Sequence, residues 1–372
     1  MMQRKCQQPI VCHGHSRPIV EVNYSNVTPD GYFLVSASKD GQPMLRSGTT
    51  GDWIGTFIGH KGCVWSCALD PTATLAATGS ADFSAKLWDA LTGMEKATLQ
   101  HKHIVRTCCF SPCSGKLVTG GHEKLLRLFE VERPEAAPFE LPGAPSTIKA
   151  AVFVGPSDSL LVSSTGDAAG LTVWDVRGGG VVRSMPTDGP VTSVDLTHDG
   201  RWLTTTDNRN TVRIWDTSKL DAPAKQFTVT YPAEAASYCP AKNRRPTQLR
   251  QPATAGPKQL DAPAKQLTVT YPAEAASYCP AKNRFAAGGE DMWVHLHSAD
   301  TGLELETNKG HHGPVHTVRF GPEGKEYASG SEDGTIRIWQ TDWLESQAGV
   351  ADGAAQVAVN AVAPPYVNGA KA

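Results

Sequence analysis

A Gly-His pair, followed about thirty residues later by a Trp-Asp pair, recurs along this chain and constrains its fold more than any other feature. The fullest instance runs from Gly310-His311 through Ser329-Gly330-Ser331-Glu332-Asp333-Gly334 to Trp339-Gln340, with Gln in place of the last Asp. Between the marks, apolar residues alternate with polar ones in short runs separated by turn residues, the period of half-buried strands. Such a unit cannot bury its apolar face alone, so successive units have to stack on one another. The 372 residues hold seven units of about 40–45 residues with a remainder. With 35 Gly, 26 Pro and only 19% charged residues, the composition suits a folded, turn-rich, all-β chain.

The mark resembles that of the WD-repeat β-propellers and implies a seven-bladed, all-β WD40 propeller over residues 8–341. Blades begin at Gly14-His15, Gly59-His60, near His101, around Gly143, around Thr187 and at Gly310-His311, and the sixth blade holds Phe285 to Thr301. Trp88-Asp89, Trp174-Asp175 and Trp215-Asp216 close third strands. A buried polar group needs a partner. The His, turn Asp, strand hydroxyl and Trp indole of one blade can satisfy one another, through His60, Thr78, Asp82 and Trp88 in blade 2 and through His311, Ser329, Asp333 and Trp339 in blade 7. Arg46, Phe129 and His297 stand where blades 1, 3 and 6 would carry the Trp. A His-Asp-Ser set could also be a hydrolase triad, but it recurs with the period of the fold and no Gly-x-Ser-x-Gly elbow carries the Ser. These eight residues are therefore read as structural tetrads.

Repetition of another kind appears between blades 5 and 6, where Leu220 to Arg244 recurs as Leu260 to Arg284 with only Phe227 against Leu267 differing. Near-identity among divergent blades points to a recent duplication or a fault of sequence assembly. Only the second copy continues into the rest of a blade, so residues 220–259 are expected to be a surplus insert rather than an eighth blade. On this reading copy one supplies the outer strand of blade 5 over Gln226 to Thr230, with a further strand near Ala235 to Cys239, and copy two supplies the inner strand of blade 6. Because the repeat ends soon after Trp339, the outer strand of blade 7 is expected from Gln8 to Cys12, which removes the open sheet edges. Residues 342–372, rich in Ala, Gly, Val and Pro, are expected to be a disordered tail.

A formal net charge of -2 denies the chain the broad positive field of a non-specific nucleic-acid or anionic-membrane binder. Any RNA role is then local or delegated to partners. No stretch approaches the ~18 apolar residues of a membrane span. Nine cysteines without a Cys-x-x-Cys pair, and no secretory segment ahead of them, suggest a reducing compartment, cytoplasm or nucleus. Cys108, Cys109 and Cys113, and Cys12-His13-x-His15, lack the paired spacing of a zinc site. With no Walker loop, dinucleotide fingerprint or His-Glu-x-x-His, no catalytic residue, metal or cofactor is assigned. What remains is surface. The residues before the turn Asp include Lys39, His122, Glu290 and Glu332, and the loops after the repeat His add Lys61, Lys102 and His103. That rim is basic in blades 1 to 3 and acidic in blades 6 and 7; it either orients a protein partner or is ordinary solvated charge.

Three stretches go beyond a generic propeller: Gly51 to Phe57 (GDWIGTF) running into Gly59-His60-Lys61-Gly62, His101 to Val105 (HKHIV), and Lys124-Leu125-Leu126-Arg127. Together with Gly288-Gly289-Glu290-Asp291 and the blade 7 motif, they resemble the family of serine/threonine kinase receptor-associated, or unr-interacting, proteins. That resemblance implies a WD-repeat adaptor of the survival-of-motor-neuron complex, with Gemin and Sm proteins and an unr-like RNA-binding protein as partners. Through them it implies a role in spliceosomal ribonucleoprotein assembly and mRNA metabolism. In animals the family also serves receptor signalling. The WD-repeat i subunit of translation initiation factor 3 has a similar last blade and is the alternative. Gly51 to Phe57 and His101 to Val105 favour the first family.

Overall fold

The alternating pattern folds into antiparallel sheets whose inner strands surround a central channel. The computed structural model describes residues 7–155, 158–166, 170–220, 224–229, 266–269 and 273–343, with backbone alone at 227–229 and 266–269. Among these residues there are seven sheets, six of four strands and one of five. Blade 2 is representative, with strands Val64–Leu69, Leu75–Ser80, Ser84–Asp89 and Glu95–Gln100 from the channel outward. Burial follows the pleat and position: the second and third strands are almost wholly buried, whereas the outer strand is largely exposed.

Each blade packs on the next through its own apolar cluster. Val35, Ala37 and Phe57 of blade 1 meet Val64, Ala76 and Trp88 of blade 2. At the seam of the ring, Ala328, Ile336 and Ile338 of blade 7 meet Ile19, Val22 and Leu34 of blade 1. The repeat motif makes this approach possible. At Gly330 an added Cβ would lie 2.7 Å from Ile19 Cγ2, and at Gly79 2.9 Å from Val105 Cγ1. Only a glycine lets the first residue of the next inner strand come so close.

The ring closes with an N-terminal strand, Ile10–Cys12, paired antiparallel to Ile336–Gln340 of blade 7 with Ile10 opposite Ile338 and Cys12 opposite Ile336. Gln7 adds a hydrogen bond from its Nε2 to the Gln340 carbonyl at 2.9 Å. Beside this seam the Tyr32 hydroxyl donates to the Glu326 carboxylate. Closure therefore joins the two ends of the propeller through backbone, side chain and core.

The duplicated segment divides between two blades. Lys225–Val229 of copy one is the fourth strand of blade 5, paired antiparallel to Thr211–Asp216. From copy two, Ala273–Cys279 is the inner strand of blade 6. Gln266–Val269, also from copy two, lies outside its own duplicate as a fifth strand of blade 5, parallel and in register, with Gln226 opposite Gln266 and Val229 opposite Val269. Ala235 to Cys239 and the rest of the insert lie outside the described residues, as do residues 344–372 of the expected tail. The first residue given to that tail, Asp342, is instead held on blade 6, where its carboxylate pairs with Lys282 and, at 3.0 Å, with Arg284. The propeller's contacts thus extend past Thr341.

Candidate protein-binding face

In blade 2 the polar chain reads in one direction. The Trp88 indole donates to Thr78 Oγ1 at 2.8 Å, Thr78 Oγ1 lies 2.7 Å from His60 Nε2, and His60 Nδ1 lies 2.8 Å from Asp82 Oδ2. Because the Asp82 carboxylate only accepts, the Nδ1–H of His60 donates to it, the bare Nε2 of the neutral ring takes the Thr78 proton, and Thr78 Oγ1 accepts from the indole. Burial pushes His60 below its ordinary value despite Asp82, so the ring is neutral. Burial would raise the Asp82 carboxyl, but Ser84, the Lys61 backbone N–H and His60 hold it down to about 2. Blade 7 repeats the chain, with Trp339 to Ser329 at 2.9 Å, Ser329 to His311 at 2.8 Å and His311 to Asp333 at 3.1 Å.

Blade 3 solves the same problem in reverse. Phe129 cannot donate, and Glu123 with Arg127 replaces the Asp. Arg127 Nη1 donates to His101 Nδ1 at 2.8 Å, which leaves Nε2–H to donate to Thr119 at 3.3 Å. Burial and then the Arg127 charge push His101 down to about 4. Blade 1 keeps His15 between Asp40 and Ser36, each at 2.8 Å, while Arg46, in place of Trp, donates to the carbonyls of Gly51 and His13. His297 in blade 6 instead stacks on Phe285 and faces the Gly302 carbonyl at 3.2 Å. These groups hold turns; buried among their own partners, they form framework rather than a reaction centre.

The turns they hold carry the rim. Lys39 and Glu332, on neighbouring blades across the seam, form an ion pair of 3.5 Å. His103 stacks on His122 with centroids 5.0 Å apart, and Phe83 lies 5.4 Å from His103. Lys61 and Lys102 are exposed, their backbone N–H groups donating to Asp82 and Glu123 at 2.9 and 2.5 Å. Glu290 is exposed on the corresponding turn of blade 6. The sequence-predicted rim therefore forms two contacting pairs and three isolated charges rather than one continuous patch.

Two features were missed. The residue after the turn acid takes a left-handed conformation, which Gly41 and Gly334 adopt at φ 81° and 75°; Phe83 and Met292 occupy it at 68° and 70°. A bulky side chain there is strained, yet both are exposed, at 44% and 41%. The second feature is a ring of side chains at one channel mouth. In every inner strand the register with its neighbour slips at the second residue. Such a bulge re-aims a side chain, and all seven of these residues, Val20, Trp65, Arg106, Lys149, Thr192, Glu274 and His316, line one cavity of about 300 Å³. Aligning the blades on the first buried aliphatic of each inner strand would have exposed this set. Arg319 lines both this cavity and one of about 500 Å³ at the opposite mouth. It is fixed to Asp195 at 3.1 Å and to the Val194 carbonyl at 3.0 Å, and so stands between the two.

On the acidic side of this mouth, His316 bridges Glu274 and Glu332, each at 2.6 Å, and Glu274, aided by Glu332, raises its pKa against burial. Among the described residues no group of three or more His, Cys, Asp or Glu side chains could hold a metal ion, and no helix is long and apolar enough to cross a membrane. A face of exposed aromatics and mixed charge around a cavity is suited to gripping a polypeptide.

Comparison with known proteins bears on the repeats and the family. A family model described as "WD domain, G-beta repeat" matches residues 5–45, 51–89, 93–130, 179–216 and 302–340. The serine-threonine kinase receptor-associated protein of Homo sapiens is 42% identical over 335 residues, covering 90% of this chain and 83% of its own length. That of Dictyostelium discoideum is 40% identical over 334 residues, covering 90% of this chain and 99% of its own. Eukaryotic translation initiation factor 3 subunit I of Nematostella vectensis is 28% identical over 343 residues, covering 90% and 97%. The stretches that the repeat model leaves unmatched include most of blades 4 and 6, which lack the Gly-His mark.

Proposed function

From a chain that belongs to the serine-threonine kinase receptor-associated protein family of WD-repeat proteins, we propose a scaffold that receives its partners on the channel mouth and the rim around it. The chain is a non-enzymatic WD-repeat scaffold that acts through protein–protein contacts. The observation that carries the proposed docking face is the strained, exposed placement of Phe83 and Met292 on the rim turns of blades 2 and 6. A turn that favours glycine instead presents large apolar side chains to solvent.

The partners we propose from the family resemblance are Gemin and Sm-type proteins together with an unr-like RNA-binding protein, so that RNA is reached through them, in cytoplasm and nucleus. The relatives' name adds association with serine-threonine kinase receptors. Subunit I of initiation factor 3 is the second reading, and the lower identity, 28% against 42%, weighs against it. Affinity capture with the full-length tagged chain decides between them. Recovery of Gemin and Sm proteins is the expected outcome, and recovery of initiation-factor subunits in their place overturns it. Reversing charge with Lys61→Glu and Lys102→Glu should weaken at least one captured partner. Unchanged recovery of all of them would reduce those two lysines to solvated charge.

A further inference from the structure

The charges at the channel mouth do not balance. Each acid lining the cavity has a cation: Glu274 has His316 at 2.6 Å, and Glu21 has Arg319 at 3.8 Å. Lys39 has Glu332 at 3.5 Å. Arg106 and Lys149, on adjacent blades 3 and 4, form no ion pair among the described residues. Both are half-buried, both are pushed down by burial, and Lys149 is pushed further by the charge of Arg106. Arg106 lies 4.0 Å from the centroid of the Trp65 ring, which fixes its position. The Trp65 indole N–H is itself buried without an acceptor. Two like charges held together, partly desolvated and with only the distant field of Glu21 acting on Arg106, destabilise the free fold, and an anion between them would relieve that cost.

We propose that Arg106 and Lys149 form a carboxylate-binding subsite that takes an Asp or Glu side chain from an acidic segment of a protein partner. The proposal rests on the scaffold reading and adds the chemistry of what enters the cavity. A guanidinium fork stacked on an indole is a bidentate carboxylate receptor, and the neighbouring ammonium supplies a second charge-assisted bond. The other side of the rim selects against a polyanion. Glu274, Glu290 and Glu332 would repel the continuous phosphates of a nucleic acid but would leave room for a peptide whose carboxylates are spaced by neutral residues.

The test titrates the full-length protein with three labelled probes, read by fluorescence anisotropy. They are a capped peptide of roughly ten residues alternating Glu and Gly, its Gln-Gly counterpart, and an oligouridylate of similar length. The Glu peptide is expected to bind and the Gln peptide to bind about tenfold more weakly or less. The double variant Arg106→Gln/Lys149→Gln should lose about tenfold for the Glu peptide, whereas Lys149→Arg and, on the outer strand of blade 2, Lys96→Gln should stay within about twofold. Lys149→Gln alone should melt no lower than the wild type, since it removes a repulsion. Equal binding of Glu and Gln peptides, an unaffected double variant, or a lower melting temperature for Lys149→Gln would overturn the subsite. Oligouridylate binding with the same dependence on Arg106 would replace it with a nucleic-acid site. If affinity capture recovers the family's partners equally with the double variant, the scaffold stands and the subsite falls. If the Glu peptide behaves as expected and no partner is captured, the reverse holds.

Discussion

At the scale of single residues, the hydroxyl of a tetrad bears the greatest load. Thr78 Oγ1 joins the Trp88 indole to His60 Nε2, and all three side chains are buried. Thr78→Val keeps the shape and removes the junction, which leaves a buried donor and a buried acceptor unmet. Each costs about 1–3 kcal/mol, so a loss of about 3 kcal/mol is expected in urea unfolding. A loss below about 0.5 kcal/mol would mean that the chain of bonds carries little stability. The exchange in blade 3, where Arg127 donates to His101, shows that the requirement is a satisfied imidazole rather than a particular tautomer. That is why blades 1 and 3 can lose the Trp and still keep a satisfied His15 or His101.

At the scale of elements, two strands decide the architecture. Ile10–Cys12 covers the edge of Ile336–Gln340, so deleting residues 1–12 should lower the melting temperature of the whole protein and promote self-association through the bared edge. A truncated monomer that melts at the wild-type temperature would show that the seam holds without it. In blade 5 the two copies of one strand lie side by side. Phe227 is opposite both Val212 and Leu267, whereas among the described residues Leu267 pairs on one side only. Phe227→Pro should therefore destabilise more than Leu267→Pro, measured by thermal unfolding followed by circular dichroism. Equal losses would mean that either copy can occupy the slot. Near-identical sequences make that contest close, because apolar pattern and strand propensity favour both copies alike; joining to Trp215-Asp216 on one side and to Ala273–Cys279 on the other separates them.

At the scale of the whole molecule, the histidines set the response to acid. His60, His101, His297 and His311 are pushed down by burial, two of them to about 4. Their contribution to stability is complete above the ordinary value of about 6.5 and declines as pH falls toward the folded value, because the unfolded chain takes up protons first. Asp82, held to about 2, adds a term that is lost only at lower pH still. His316, raised by Glu274, and His295, raised by Asp291 against burial, work in the opposite sense: their contribution is complete below about 6.5 and lost as pH rises. Glu21 and Glu326, raised by burial, also oppose the acid loss. With His122 and His198, also pushed down by burial, six depressed histidines stand against these four groups, so the melting temperature should fall between pH 7 and pH 4.5, and His101→Gln should lessen the fall. A melting temperature that is flat over that interval would contradict this assignment.

Local chemistry made much of this legible. The period of the Gly-His and Trp-Asp marks, the glycine of the Ser-Gly-Ser turn strand and the polar sets of blades 2 and 7 are short-range requirements, each met within one blade, and they determine a seven-bladed ring. Stretches such as Gly51 to Phe57, lying between the marks, carry the family likeness. The binding face is different because its parts come from different blades. Lys39 meets Glu332 only across the seam, His316 bridges two blades, and the seven bulge residues converge on one cavity from positions spread over the whole chain. Which charges cancel, and so which two remain unpaired, depends on distances between side chains brought together only when the ring closes. The sequence determined the blades and their order, but closure of the ring decided what stands at its centre.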